Sequence, residues 1–349
     1  MLGGKRSHAR ARERALGGGN FVIENFFYFL CAAATSGDKE EMAFLLKELR
    51  FKVPWGHLAA KAWGSSEGRP ILCLHGWLDN ANTFDRLIPL LPQDYYYVAL
   101  DFSGHGQSSH LPNGMRYQHL DYVTDVHRVI TSLGWQRFSI MAHSMGGVVG
   151  GVFASVFPEA VHHLILLDSY GFFPVHSNLL INHLKKAIIH YTRLEGANGA
   201  KVYTPEGAIQ RLLDGNPSLT SDTAKVLLQR GTKPVDGGVV FSRDIRVTLG
   251  LRKKTVESHI SRSLLIYWQN GCCSSLKSRA NEGIAADLMR GVYTDVGQTL
   301  LSGFKENLKG RFQSTVVDGN HFVHLNEPEK IAKIIVNQLH ERPYTHSHL

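Results

Sequence analysis

Ser144 is the residue of this sequence whose neighbours best suit chemistry. It follows an apolar run, Phe138–Met141, and small residues, Ala142 and Gly146, stand two positions before and two positions after it. A strand that turns abruptly into a helix exposes a serine oxygen only where small residues accept the strained backbone. Alanine stands where glycine is usual, at some steric cost. The segment predicts a nucleophilic serine; the alternative is a serine that only caps the following helix.

Two backbone amides are predicted to hold the oxyanion that a serine attack on a carbonyl group would create. In strand–turn–helix sites of this kind, one amide follows the third strand and the other belongs to the residue after the nucleophile. These positions are Trp77, in the segment Leu74–Leu78, and Met145. Their side chains are incidental because the amides stabilise the charge. An ordinary turn after a strand is the alternative for His75-Gly76 taken by itself.

The proton acceptor is predicted in the segment 317–328. His321 lies between the last predicted strand, Thr315–Val317, and a helix that begins at Pro328. A histidine on such a loop can reach over the edge of the sheet and accept the proton of a serine hydroxyl, which is a poor nucleophile without a base. His324 is the competing candidate, although its spacing favours packing or orientation.

The rest of the sequence predicts the elements that position these residues. Four short apolar runs are typical of buried parallel strands: Ile71–Leu74, Tyr96–Leu100, Phe138–Met141 and Leu164–Leu167. A helix is predicted over Tyr117–Leu133, and an antiparallel hairpin over residues 51–63 at the edge of the sheet. The alternation of strand, polar turn and helix predicts an α/β fold, with a mostly parallel twisted sheet flanked by helices.

A helical cap is predicted between two parts of this sheet. Helical patterns cover Leu179–Glu195, Thr204–Leu213 and Ser221–Arg230 without a buried strand, and strand character returns at Leu264–Trp268. An insertion at this point covers the carboxyl ends of the strands, where ligands bind in such sheets. The predicted division is an extension (1–44), the first part of the core (45–168), the cap (169–261), the second part of the core (262–342) and a tail (343–349).

Several of these motifs together resemble the α/β-hydrolase family. They are the serine turn 142–147, His75-Gly76-Trp77, the glycine-containing loop 101–108 and Gly319-Asn320-His321. The sequence resembles the serine hydrolase-like proteins of vertebrates more closely still, through residues 53–57, 59–64, 74–81 and 229–232. The resemblance implies a serine hydrolase of unassigned physiological substrate, associated with peroxisomes and the perinuclear cytoplasm. The loop 101–108 is interpreted as scaffold.

The carboxylate that should orient the histidine departs from the family's pattern. That acid usually follows the strand predicted here at Leu264–Trp268, but no carboxylate occurs after it until Glu282. Some haloalkane dehalogenases of this superfamily instead place the acid at the end of the strand after the serine helix. Asp168 stands there and is our candidate for orienting His321. A loop or helix cap is the alternative role for Asp168, with Glu282 and Asp287 as substitute acids.

These residues predict a serine esterase or related acyl hydrolase that acts on a small or fatty acyl ester beneath the cap. Epoxide hydrolase and dehalogenase chemistry is disfavoured because those enzymes carry an aspartate in place of Ser144. The alternative function, motivated by the missing acid, is a catalytically weak or inactive member of the fold that binds a ligand in the capped pocket.

Composition argues against several other classes. The net charge is +8, but residues 1–20 carry five basic groups against one acid, so the remaining excess makes no case for nucleic acid. The four cysteines do not form a disulfide framework, and we expect reduced thiols. No spacing indicates a metal or cofactor site. No apolar run reaches the roughly eighteen residues that span a bilayer.

The two ends of the chain raise the question of targeting. An apolar stretch, residues 21–35, follows basic residues but is interrupted by Glu24 and Asn25, so an extension outside the fold is favoured over a secretory signal. A mitochondrial peptide over residues 1–20 is another alternative. The chain ends in Ser347-His348-Leu349, which resembles the peroxisomal Ser-Lys-Leu address. We therefore expect recognition by the peroxisomal import receptor, and a location in peroxisomes and cytoplasm.

Overall fold

The protein is seen here in a computed structural model that describes residues 23–29, 46–171, 180–195, 199–248, 272–279, 302–308 and 311–341. Its main feature is a nine-stranded sheet in the order β1-β2-β3-β5-β4-β6-β7-β10-β11, accompanied by a separate hairpin of β8 and β9. The strands are β1 (Ile23–Phe29), β2 (Leu46–Val53), β3 (Gly56–Trp63), β4 (Arg69–Leu74), β5 (Tyr95–Leu100), β6 (Phe138–His143), β7 (Val161–Leu167), β8 (Thr232–Val235), β9 (Gly238–Phe241), β10 (Cys272–Arg279) and β11 (Phe312–Asp318).

The sheet is antiparallel on one side and parallel on the other. The neighbouring pairs from β1 to β5 run antiparallel, and every pair from β5 onwards to β11 runs parallel. The four apolar runs therefore coincide with parallel strands β4 to β7, as their composition predicts. The carboxyl ends of β4, β6, β7 and β11 lie at one edge, which is the edge expected to bind a ligand.

Helices cover both faces of the sheet. Helices α1 (His119–Leu133) and α2 (Met145–Val156) pack on one face, where Val126 and Phe153 join the strand residue Ile140 in one apolar cluster. The C-terminal helix, Glu329–Glu341, packs on the other face, where Ile335 meets Met141. Burial on both faces explains why the central strands are continuously apolar rather than alternating.

The described residues between β7 and β10 include three α-helices and the hairpin. They are α3 (Leu180–Glu195), α4 (Pro205–Gly215) and α5 (Ser221–Gly231), within a few residues of the predicted helices. Thr204 and Thr220 cap the N-termini of helices α4 and α5, and the side chain of each accepts a hydrogen bond from a backbone amide of the first turn. The β8–β9 hairpin was not predicted, because its strands have only four residues each and none of these residues is fully buried.

Two expectations need correction at the start of the chain. The predicted extension 1–44 contains β1, which pairs with β2 over Ile23–Phe29, so this part belongs to the sheet. The hairpin β2–β3 consequently does not form the edge of the sheet. An unpaired strand edge offers free amides and carbonyls, and the aromatic sequence Phe26-Phe27-Tyr28-Phe29 has a high strand propensity. The interpretation of these residues as an extension outside the fold missed the strand.

The strand after the cap also differs from the prediction. The predicted strand Leu264–Trp268 lies outside the described residues, and the place beside β7 belongs to β10. Residues 272–275, which were expected to follow a strand, pair with residues 163–166 of β7. The sequence Cys272-Cys273-Ser274-Ser275 lacks the continuous apolar run that indicates a buried strand. A parallel ladder is formed by backbone groups, however, so it does not require an apolar run.

Candidate active site

Ser144 occupies a strained turn between β6 and α2. Its backbone has φ 51° and ψ −113°, a conformation that residues with a side chain rarely adopt. Its amide donates to the carbonyl of Leu167 at 3.1 Å, which fixes the turn to the end of β7. A Cβ on Gly146 would come within 2.2 Å of the carbonyl oxygen of Leu74, so only glycine allows this close approach. Strain of this kind is concentrated at functional sites.

Three predicted side chains meet at the carboxyl edge of the sheet. His321 Nε2 lies 3.0 Å from Ser144 Oγ, and His321 Nδ1 lies 2.5 Å from Asp168 Oδ2. Each residue follows a different strand: Ser144 follows β6, Asp168 follows β7 and His321 follows β11. With the carboxylate accepting the proton of Nδ1, the other ring nitrogen is left to accept the serine proton. The structure therefore brings together all three residues proposed from sequence.

His324, the competing base, lies in the core. It is fully buried, and its Nε2 is 2.8 Å from Thr83 Oγ1. Burial lowers the pKa of His324 to about 3, so the ring stays neutral. This environment agrees with packing or orientation rather than with proton transfer at Ser144. The substitute acids Glu282 and Asp287 lie outside the described residues.

The loop after β4 lies against the serine turn. A Cβ on Gly76 would stand 3.5 Å from Ser144 Cβ, so this backbone passes directly beside the nucleophile. His75 Nε2 accepts from the amide of Phe102, so its Nδ1 carries the proton and donates to the Gly76 carbonyl at 2.7 Å. Because a trans peptide is planar, the amide of Trp77 points the opposite way, away from His75. Met145 is the first residue of α2, where amides lack partners within the helix.

The loop 101–108 braces this arrangement, in agreement with a scaffold role. Asp101 is fully buried and accepts from the amides of Ala81 and Gln107, each at 2.8 Å. Its carboxylate also binds Arg230 Nε at 2.6 Å, which ties helix α5 to the core. Arg230 reaches Glu48 on β2 as well. Sequence reasoning missed this link, although residues 229–232 were part of the resemblance, because a single arginine in a helix does not indicate its partner.

His143 is a second buried residue that sequence reasoning passed over. It is the last residue of β6 and directly precedes Ser144. Its Nε2 lies 2.9 Å from the backbone oxygen of His321. Its Nδ1 lies 4.0 Å from Asp79 Oδ2. Burial raises the pKa of Asp79 to about 7, the opposite direction from the buried histidines around it.

The described part of the chain shows neither a metal-binding cluster nor a membrane-spanning helix. There, no group of three or more histidine, cysteine or acidic side chains is arranged to hold a metal ion. No helix among the same residues combines the length and apolar character needed to cross a membrane.

Comparison with known proteins gives the class to which this fold and site belong. A family model described as alpha/beta hydrolase fold matches residues 69–191. The crystal structure of a hypothetical protein from Pseudomonas aeruginosa PAO1 is similar with a TM-score of 0.69 and 31% identity, covering 83% of this chain and 96% of that chain. A thioesterase domain from the curacin biosynthetic pathway shares the fold with a TM-score of 0.67, at 24% identity, covering 83% of this chain and 99% of that one. The protein has the α/β-hydrolase fold, as its motifs predict.

Curated relatives narrow the class. Serine hydrolase-like protein 2 of Homo sapiens is 43% identical over 303 residues, which are 83% of this chain and 93% of that protein. The serine hydrolase-like protein of Danio rerio is 41% identical over 302 residues, covering 84% of this chain and 88% of that protein. The chain belongs to the family of serine hydrolase-like proteins, which confirms the resemblance seen in the sequence.

Proposed function

We propose that this protein is a serine hydrolase that cleaves the ester bond of a small or fatty acyl substrate. The observation that carries the proposal is the chain of contacts from Asp168 through His321 to Ser144, at 2.5 Å and 3.0 Å. A base oriented by a carboxylate and within reach of a serine hydroxyl is the arrangement that activates such a nucleophile. The family name and the fold support hydrolysis in general terms.

The proposed reaction has two halves. Ser144 Oγ attacks the carbonyl carbon of the ester while its proton passes to His321 Nε2, and the amides of Trp77 and Met145 bind the oxyanion. The tetrahedral intermediate collapses, and the alcohol leaves with the proton of His321. Water then attacks the acyl-serine and gives a proton to His321; as the carboxylic acid is released, that proton passes to Ser144 Oγ and regenerates the serine and the neutral base. Asp168 keeps the imidazole oriented and stabilises its cationic form in both halves.

The surroundings of the base support an uncharged acyl group. Phe322 and Leu325 are buried in a cluster with Leu219 and Leu227, which come from the segment inserted between β7 and β10. The ring of Phe322 stands 5.4 Å from that of His321, edge to face. An apolar cluster beside the base favours a hydrocarbon acyl group over a charged one.

Covalent labelling tests the proposed nucleophile. We expect a fluorophosphonate probe to modify Ser144 and to inhibit turnover of nitrophenyl esters, with acyl-chain length then varied to define the substrate class. Ser144→Ala should abolish both. Ser155→Ala, on the same helix but hydrogen-bonded to Gly151 at 2.9 Å, is the matched control and should leave both unchanged. Labelling that persists in Ser144→Ala contradicts the proposal.

The same experiment addresses a binding protein without activity. That alternative was motivated by the lack of a carboxylate after the predicted strand 264–268. The contact of Asp168, which follows a different strand, with His321 supports hydrolysis over this alternative. A wild-type protein that binds acyl ligands but neither reacts with the probe nor hydrolyses any ester would instead favour the binding role.

We also propose that the C-terminal tripeptide directs the protein to peroxisomes through the import receptor, with a further pool in the cytoplasm. Ser347, His348 and Leu349 lie outside the described residues, and the proposal depends on their resemblance to the Ser-Lys-Leu signal. A fluorescent protein carrying residues 343–349 at its own C-terminus should co-localise with peroxisomes. Removal of Leu349 should return it to the cytoplasm, and unchanged localisation would refute the signal.

A further inference from the structure

A buried imidazole links the backbone of the proposed base to that of the proposed nucleophile. His143 is fully buried, and its Nε2 lies 2.9 Å from the backbone oxygen of His321. Its ring stands 4.6 Å from the ring of His321 and 4.1 Å from that of His324. Since Ser144 is the next residue in the chain, this single hydrogen bond couples the two reacting side chains through their backbones.

The chemistry of the contact determines the protonation of the ring. A carbonyl oxygen only accepts hydrogen bonds, so Nε2 of His143 must carry a proton and donate it. Burial, together with the nearby His324 and His321, places the pKa of His143 well below its usual range, which keeps the ring neutral. Its Nδ1 is therefore an unprotonated nitrogen, and it faces Asp79 Oδ2 at 4.0 Å.

The loop that carries His321 is otherwise held from the side of the cap. Asn320 Nδ2 donates to the backbone oxygen of Ser218 at 2.9 Å, and Asn320 Oδ1 accepts from the amide of Phe322 at 2.9 Å. The first contact fixes the loop relative to the inserted segment, and the second is internal to the loop. The bond from His143 ties the same loop to the strand that presents the serine.

We propose that His143 is a positioning residue for the reaction, holding the backbone of His321 so that its ring reaches Asp168 and Ser144 at once. The inference depends on the proposed function, because it assigns a role within that catalytic arrangement. A ring can satisfy contacts of 2.5 Å and 3.0 Å on opposite sides only if its backbone is fixed. Misplacement of a reacting group by about 1 Å can lower a rate by around 10²-fold.

Two substitutions of similar length separate this role from simple packing. His143→Gln keeps an N–H donor at nearly the position of Nε2, whereas His143→Met fills the same space without a donor. We expect the second-order rate of fluorophosphonate labelling at Ser144 to fall about 10- to 100-fold in His143→Met, and to stay within about threefold of wild type in His143→Gln, with melting temperatures measured for both. Equal labelling rates in the two folded variants would overturn the proposal.

A measurement on the wild-type protein covers the case in which a variant does not fold. Long-range proton–nitrogen NMR spectra distinguish the two neutral forms of an imidazole ring from the cation. Between pH 6 and 8 we expect His143 to be neutral with its proton on Nε2; a proton on Nδ1, or a cationic ring, would overturn the proposal. If wild-type protein is not labelled at all, the proposed function fails, while the spectra still decide how His143 is bonded.

Discussion

Replacement of Asp168 by asparagine is the most direct test of the proposed catalytic residues. The carboxylate accepts the Nδ1 proton of His321 at 2.5 Å, and this leaves Nε2 as an acceptor for the serine proton. An asparagine that presents its amide group to Nδ1 stabilises the opposite form of the ring, in which Nε2 carries the proton. Such a ring cannot accept a proton from Ser144, although nothing in the geometry has moved.

The size of the effect follows from two contributions. A hydrogen bond to a charged group contributes roughly 1.5–3 kcal/mol, and the lower end applies because the side chains of His321 and Asp168 are 38% and 23% exposed. At about 1.4 kcal/mol for each factor of ten, this loss alone lowers the rate about tenfold. The wrong form of the ring can extend the loss to about 10⁴-fold. We expect a fall of about 10²- to 10⁴-fold in labelling rate and in kcat/KM.

The assay compares wild type with Asp168→Asn over a range of pH, using initial rates of nitrophenyl ester hydrolysis and fluorophosphonate labelling of Ser144. Glu282→Gln and Asp287→Asn are the matched controls, because each removes one of the substitute acids suggested by the sequence. Both controls should retain wild-type rates. If Asp168→Asn reproduces the wild-type rates and pH profile, Asp168 is a structural residue and the reasoning is refuted. A fall in rate in either control variant would instead identify Glu282 or Asp287 as the acid.

Three further predictions concern folding, and thermal or denaturant unfolding measures each of them. Gly146→Ala should lower the free energy of unfolding by more than about 2 kcal/mol, because its Cβ would meet the carbonyl of Leu74 at 2.2 Å. The control Gly303→Ala, whose Cβ would have nothing within 4 Å, should be neutral or slightly stabilising. Equal stabilities of the two variants would contradict this reasoning. Arg230→Met should lower the free energy of unfolding by about 3–5 kcal/mol, because it leaves the buried Asp101 carboxylate without its ion-pair partner. Lys225→Met, which removes an exposed ion pair, is the control and should change the stability little. An Arg230→Met variant as stable as wild type would show that the buried pair is dispensable. Burial lowers the pKa of His75 to about 4 and that of both His105 and His324 to about 3. It raises the pKa of Asp79 to about 7 and that of Asp125 to about 6. Between about pH 4 and pH 6.5 these histidines, together with His143, bind protons in the unfolded chain but not in the folded protein, and the two aspartates act in the opposite sense. Because the histidines outnumber the aspartates, the free energy of unfolding should decrease on acidification through this window. An increase would refute the assignment.

The local sequence was sufficient to predict four of the core strands and the three side chains that meet at the proposed site. Continuous apolar runs identify strands buried on both faces, and Ser144 and His321 each follow such a run or a strand near the end of the chain. Topology then brings these residues to one edge of the sheet, so proximity in space follows from their positions at strand ends. Asp168 was predicted from a second position of the acid in the superfamily, the end of the strand after the serine helix, and it directly follows β7.

Contacts between distant polar residues could not be predicted in this way. Arg230 meets Asp101 across 129 positions of sequence, and His143 meets the backbone of His321 across 178. Neither pair has a characteristic spacing, because the fold of the whole chain determines which side chains meet. Strands β1 and β10 were missed for different reasons: the aromatic run of β1 was assigned to an extension outside the fold, and β10, which pairs with β7 and β11, has no continuous apolar run.

The arrangement of strands also explains how an acid after β7 can serve a histidine after β11. Strand β10 pairs with β7 on one side and with β11 on the other, all parallel, so the three carboxyl ends lie side by side at spacings of about 4.8 Å. The acid usual in this fold would follow the middle strand, and Asp168 instead follows the strand next to the nucleophile. A histidine ring placed above β10 and β7 can bind a carboxylate from either strand end with the same Nδ1 and still present Nε2 to Ser144. The catalytic role that we propose for Asp168 therefore requires no change in the role of His321, provided that the loop carrying the histidine is held in place, which is the role we assign to His143.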